Sequence, residues 1–417
     1  MRKLFSLLLF FAFLVANSQS NTDVFLFDLK TSSNSIELLN HKNISANDGY
    51  DNQPSFLDNN TVLYAGTRND QTDIVKYTIN YDSKIFINHT EGGEYSPLKI
   101  PNKNEVSAVR LDPDGLQRLY TYNLRNGESK ELIKDLVVAY YTWYDNNIVV
   151  CAAIEENRLN LFVVNTKGGT SKKYQENVGR SFHKIPNSNL VSFISKENNT
   201  WQIKSLNPKT GVTKVIANTM EGVEDICWLN SKTILSGKDS KLYKLTLQKD
   251  NNWKQVADLS SKGISKITRL ATNLESSMLL IAGDINENAK KTEETKEKEK
   301  PASETSNEVS EAEAIVQKQL EAYNNRDIDA FMATYSKNVK LYNYPNELQT
   351  DGAQQMRKRY EQWFNQTPDL RAFIKKRIVI GNKIIDEEQV TANGQIFNAV
   401  AIYEVENGLI SKVTFIQ

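Results

Sequence analysis

Between Gln53 and Ile79 the chain reads QPSFLDNNTVLYAGTRNDQTDIVKYTI, with two alternating apolar runs, Thr61 to Ala65 and Ile74 to Ile79, flanking a polar stretch, Thr67–Asp73. Alternation at period two sends every second side chain to one face. Each run therefore predicts a half-buried strand, and the polar stretch a turn. The same pattern returns down the chain at intervals of about forty residues, the length of one four-stranded propeller blade. One such sheet cannot cover its own faces, so the repeat folds only when copies stack into a single body.

Two kinds of segment alternate. The first joins a short strand, a turn rich in Asn, Asp, Pro or Ser, and a second strand; copies begin at Pro54, Pro97, Trp143, His183, Trp228 and Thr268. The second is a hairpin, with copies from Asp73, Arg118, Leu159, Trp201 and Lys241 and turns such as Asn126-Gly127 and Gly168-Gly169. A sixth hairpin, Asp23 to Leu39, precedes all the others, and the last strand pair, Thr268 to Gly283, has none after it. Joining the two ends completes a sixth blade and leaves no open sheet edge. The expected fold class is multidomain: an all-β six-bladed propeller over residues 21–285, followed by an α+β domain.

The repeats resemble those of TolB-like propellers on Pro54, Asp58, Leu63-Tyr64, Arg68 and Asp73-Ile74, with Pro97 and Asp112 in the second copy. The resemblance spans about residues 22 to 284, and the third to fifth copies lack the arginine. It implies a fold, not an activity, because propellers host binding and catalysis alike. No Gly-x-Ser-x-Gly elbow follows the array, which removes the serine-hydrolase arrangement. Trp143, Trp201, Trp228, Tyr140 and Tyr141 are read as blade packing, and the mouth of the ring as a contact surface for protein or glycan.

Composition narrows the partners. The 417 residues carry 51 basic and 51 acidic side chains, so nothing calls for nucleic acid or an anionic membrane. His41, His89 and His183 fall in different repeats without ligand spacing, and Cys151 and Cys227 lie in apolar runs as buried thiols. No metal or cofactor is expected. Arg2 and Lys3 precede an apolar run, Leu4 to Val15, and the small polar residues Ala16-Asn17-Ser18. That is the pattern of a signal peptide over residues 1–20, cleaved after Ser18 or Ser20, with no cysteine to carry a lipid. Export to periplasm or medium is expected, not as a lipoprotein, with no transmembrane segment.

Residues 286–311, NENAKKTEETKEKEKPASETSNEVSE, contain almost nothing apolar and read as a flexible charged linker. From 312 to 417 the period changes. Ala314, Ile315, Leu320 and Tyr323 share a helical face; Asp327 caps a second helix carrying Ile328, Phe331, Met332 and Tyr335. A strand, Val339 to Tyr344, a third helix, Asp351 to Phe364, and four strands after Pro368 complete the α+β layout. This domain resembles the SnoaL-like members of the nuclear transport factor 2-like superfamily. The resemblance rests on Tyr323 to Phe331, Asn343-Tyr344-Pro345, Gly352, Ile378 to Gly381 with Glu388, Ala401-Ile402-Tyr403 and Asn407 to Ile410.

The resemblance implies a conical, largely apolar pocket, and some resembling enzymes are ketosteroid isomerases that use an Asp base, a Tyr and a protonated Asp. Their pattern falls here on Asn343, Gln319 and Val400; an amide cannot take up the proton and valine cannot donate a hydrogen bond, so the isomerase constellation is missing. The pocket candidates are Tyr335, Asn343, Trp363, Asp386, Glu388, Asn398 and Val400. Asp386 and Glu388 share one strand face. A solvated face is the expectation for them, and a buried carboxylate with raised pKa is the alternative. Arg357-Lys358-Arg359 and Lys375-Lys376-Arg377 are read as solvated faces. The function expected is an exported binding protein with a small apolar ligand in this pocket; the alternative is a lyase, hydrolase or isomerase acting there.

Overall fold

A computed structural model describes residues 21–416 apart from 33–34, 69–70, 89 and 286–309. The signal-like segment, most of the charged stretch and His89 thus lie outside the described residues. Six four-stranded sheets form the blades of a propeller, and a six-stranded sheet with three helices forms a second body after it.

Five blades are built from four consecutive strands each. The sixth takes its two inner strands, Ile264–Thr272 and Met278–Ile285, from the end of the array and its two outer strands, Thr22–Thr31 and Ile36–Asn43, from the beginning. Thr22–Thr31 pairs antiparallel with Met278–Ile285 in unbroken register from Thr22↔Asp284 to Asp28↔Met278. The ring is therefore closed by the chain's own start. Val24, Phe25, Leu26 and Phe27 are all buried there.

Aromatic residues at the inner strands staple neighbouring blades. Trp143 Nε1 donates to Ser107 Oγ at 2.8 Å, and Trp228 Nε1 to Ser192 Oγ at 2.8 Å. Cys151 and Cys227 are buried free thiols. In the first blade the strands Thr61–Arg68 and Gln71–Thr78 run further than their alternation suggests, and only residues 69–70 separate them. The polar run is not a loop. Asp73 is buried and paired with Arg68 at 2.7 Å, with Gln71 and Asn88 as further donors, so the charges are spent inside the sheet.

The second body opens with α1, Glu311–Asn325, capped by Ser310, whose hydroxyl accepts from the Glu313 amide. α2, Ile328–Ala333, is capped by Asp327, and α3 spans Ala353–Gln366. The sheet order is Glu347–Asp351, Tyr335–Asn343, Leu409–Ile416, Gln395–Glu406, Lys383–Ala392, Arg371–Ile380. Its one parallel pair joins Tyr335–Asn343 to Leu409–Ile416. The helices cover one face around Phe331, Val339, Leu341, Met356, Phe364, Ile384 and Val413.

The two bodies touch. Helix α1 and the strand Arg371–Ile380 lie against the outer strand Ser83–Phe86 of the first blade. Arg371 is buried and its Nη1 donates to the carbonyls of Ile87 at 2.6 Å and Phe86 at 3.1 Å. Gln317 Nε2 donates to Ser83 Oγ at 2.9 Å, and Arg377 sits 5.7 Å over the Tyr81 ring.

Candidate functional site

The strand Lys383–Ala392 decides what the interior of the second body contains. Ile384, Asp386, Glu388, Val390 and Ala392 are buried, whereas Lys383 and Glu387 are exposed. One alternating face thus turns two carboxyls inward. The solvated-face expectation for Asp386 and Glu388 is overturned: they are 1% and 7% exposed. Their parity with Ile384 and Val390 was the sequence signal for this.

Burial makes the two acids different. Asp386 meets Arg377 side-on, with Nε to Oδ1 at 2.7 Å and Nη2 to Oδ2 at 2.6 Å, the two-pronged fork geometry of an arginine–carboxylate pair. Arg377 Nη1 also donates to Gln317 Oε1 at 2.9 Å, so the pair continues through Gln317 to Ser83 of the propeller. This also corrects Lys375-Lys376-Arg377 as a solvated run: Lys375 and Lys376 are exposed, but the Arg377 side chain is 8% exposed and spent on Asp386.

Glu388 has no such partner. Burial pushes its carboxyl up to about 8, the charge of Asp386 adds to the rise, and Arg377 opposes it. No described residue hydrogen-bonds it. At neutral pH it is largely a neutral acid, able both to donate and to accept. Its charge, when present, is felt by Tyr323, Tyr335, Tyr360 and Tyr403, each already raised by burial. Tyr323, Tyr335 and Tyr360 belong to one aromatic cluster, with Tyr403 in the same core: Phe331 lies 5.0 Å from Tyr335 and 4.7 Å from Tyr360, and Tyr323 lies 5.6 Å from Phe364.

The other candidates divide by strand parity. Tyr335 is buried, and so is Gln319. Trp363 is half-buried and its Nε1 donates to the Tyr323 hydroxyl at 3.4 Å. Asn343 is half-buried at its strand end, on the face shared by Val339 and Leu341. Asn398 and Val400 do not belong to the group. They pair with Gln389 and Glu387 and point to the outer face, and Asn398 Oδ1 there accepts from Lys375 at 2.6 Å. The inward residues at that point are Ala399, Ala401 and Tyr403. An overlay shifted by one residue moves every side chain to the other face.

Residues 316–413 match the family model of the SnoaL-like domain. The SnoaL-like domain is therefore the body that holds Asp386 and Glu388. No curated protein matches the chain by sequence. Among solved structures, a candidate TolB from Agrobacterium tumefaciens is 8% identical, with a TM-score of 0.51, over 64% of this chain and 99% of its own. It shows the propeller fold and no more. A candidate SnoaL-like polyketide cyclase from Jannaschia sp. CCS1 is 14% identical with a TM-score of 0.24, covering 27% of this chain and 90% of its own. A cystatin-fold protein from Novosphingobium aromaticivorans is 25% identical with a TM-score of 0.25, over 26% and 99%.

Among the described residues, no helix is long and apolar enough to cross a membrane, and no group of His, Cys, Asp or Glu is placed to hold a metal.

Proposed function

We propose that this is an exported two-domain binding protein, its propeller a contact surface for protein or glycan and its SnoaL-like domain a site for a small apolar ligand. The observation that carries the reading is Glu388: a buried carboxyl with no hydrogen-bond partner among the described residues, in a domain whose core is aromatic and aliphatic. An apolar site needs few polar groups, placed so as to orient the ligand, and a neutral carboxyl can both donate to and accept from one. Export rests on residues 1–20, and the division into 21–285, 286–311 and 312–417 rests on the same change of pattern along the chain.

The test uses the full chain, purified without detergent, extracted into organic solvent and analysed by mass spectrometry. A retained apolar molecule near one equivalent is expected from the wild type, with much less from Glu388→Ala. An empty protein that also shows no thermal shift with sterols, fatty acids or polyketides would sink the ligand reading. N-terminal sequencing of the mature protein tests export, and a start at Gln19 or Asn21 is expected.

The same carboxyl favours a second reading, an enzyme. General acid–base catalysis is most effective when the group titrates near the working pH, and Glu388 does so. Ketosteroid isomerisation is not the expected reaction. Asn343 cannot take up a proton, Gln319 stands where a tyrosine would, and Val400 faces outward. Incubation with a Δ5-3-ketosteroid should give no conjugated enone above background. Turnover that disappears in Glu388→Gln would establish the enzyme instead.

A further inference from the structure

The propeller is pierced by a cavity of about 620 Å³, lined by the inner strands of its blades. At the end where those strands begin, three charged side chains from three blades meet. Asp225 accepts from Arg180 Nη2 at 2.5 Å and from its Nε at 3.1 Å, and takes Arg269 Nη1 at 3.1 Å on its other oxygen. One aspartate thus holds two guanidinium groups. Arg269 Nη1 also donates to the Thr268 carbonyl at 2.8 Å. Arg180 Nη1 and Arg269 Nε and Nη2 make no hydrogen bond to a described residue.

The charge count at this end is uneven. Glu224 is spent on Lys196 at 2.9 Å, and its second oxygen reaches Arg180 only at 3.7 Å. His183 lines the same cavity next to Ser181, but burial pulls it down to about 4, so it is neutral near pH 7. Lys184 lies four residues beyond Arg180, about 13 Å along the strand, and donates to the Tyr144 carbonyl. Two arginines against one aspartate leave a single positive charge. Tyr140 lines the cavity beside them, and Tyr50 and Tyr95 stand next to it, 6.0 Å apart and edge to face. Tyr50 is pushed up to about 12 by burial and feels Arg269, Tyr140, Tyr95 and Arg180, which places the three hydroxyls and the two guanidiniums in one neighbourhood.

We infer that this end of the propeller channel binds a small monocarboxylate with a ring or other flat apolar body, its carboxylate on Arg180 and Arg269 and its body against the tyrosines. The inference rests on the reading of the propeller as a binding module and gives it a ligand class. A carboxylate matches a guanidinium fork and carries one charge. A phosphate monoester carries nearly two near pH 7, and Asp225 would repel the excess. The cavity volume falls within the roughly 300–1,000 Å³ usual for small-molecule sites.

The experiment is calorimetric titration of the full chain with benzoate, phenylacetate, cyclohexanecarboxylate and glucuronate. Benzamide and phenyl phosphate serve as the neutral and doubly charged counterparts, and a Gly-Gly-Phe peptide and its C-terminal amide test a peptide source. Saturable binding of at least one free acid is expected, at least tenfold tighter than its amide or phosphate counterpart. Arg269→Gln should weaken it at least tenfold and Arg269→Lys severalfold, with melting curves showing that both variants fold. Binding of the peptide acid alone, tighter binding of phenyl phosphate, equal binding of benzamide, or no binding by any acid would overturn the inference. If no acid binds, a neutral glycan that binds equally to wild type and Arg269→Gln would still leave the propeller a binding module. No response to acids, peptides and glycans alike would remove both.

Discussion

Glu388 and Asp386 are two residues apart and face the same way, yet they are opposite in character because only one has an arginine. The consequence can be measured. The folded-state pKa of Glu388 lies near 8, above the ordinary 4.5 of an unfolded chain. Between those values the native state holds a proton that the unfolded state has released, so stability falls as pH rises. The contribution is fully present below about 4.5 and gone above about 8. Glu388→Gln keeps the shape and removes the titration. The melting temperature of the SnoaL-like transition should then decline less between pH 5 and 8, the difference being worth on the order of a few kcal/mol. Identical slopes in variant and wild type would show that the carboxyl is ionised and hydrated. Some slope should remain, because burial also raises Glu321, to about 7.

At the scale of elements, the most informative sequence feature was a hairpin in the wrong place. Asp23 to Leu39 had no partner before it and Thr268 to Gly283 none after it, and the structure pairs them as the sixth blade. Removing residues 21–39 should strip Phe25, Phe27 and Leu29 from the core they share with Leu279 and Ile281 and bare an unpaired strand. Aggregation, or melting lower by ten degrees or more, is the expected result, and an unchanged melting curve would contradict the closure. The blade strands were legible as apolar runs between Asn-, Asp-, Gly- and Ser-rich turns, although the second strands turned out buried on both faces rather than half-buried, as in Val62 to Ala65 and Val149 to Ala153. The reading failed where polar groups serve each other: Arg68 and Asp73 read as a turn, and Arg377 with Asp386 as solvent-facing, because parity with Ile384 and Val390 points Asp386 inward but leaves no trace of the arginine on the next strand that pairs with it. The placement of Asn398 and Val400 failed for a different reason. Val400 came from the isomerase pattern and Asn398 from the pocket reading, and both are one residue off the inward alternation visible in Ala399, Ala401 and Tyr403.

For the whole molecule, the contact between propeller and SnoaL-like domain was not legible at all. It joins residues nearly three hundred positions apart through polar atoms, as in Arg371 to Phe86, a separation of 285. Arg371 contributes through its two carbonyl partners and has no carboxylate beside it. Burial, then Arg326, lowers its affinity for the proton to about 10, still charged near pH 7. Arg371→Met should leave both domains folded but loosen their docking by about 1–3 kcal/mol, the cost of stranding buried carbonyls. Small-angle scattering should show a larger radius of gyration, and mild proteolysis within residues 286–309 should yield two pieces that no longer co-elute. Wild-type dimensions and joint elution in the variant would mean that the contact contributes nothing.

The relay from Ser83 through Gln317 and Arg377 to Asp386 makes the propeller an outer wall of the SnoaL-like chemistry. Severing the domains would uncover Gln317 and Arg377 and let water compete for the arginine. A less firmly held Arg377 screens its neighbours differently, so the proton on Glu388 would answer to whether a blade, two strands away, is seated. In that sense the propeller is a setting screw for an acid it never touches.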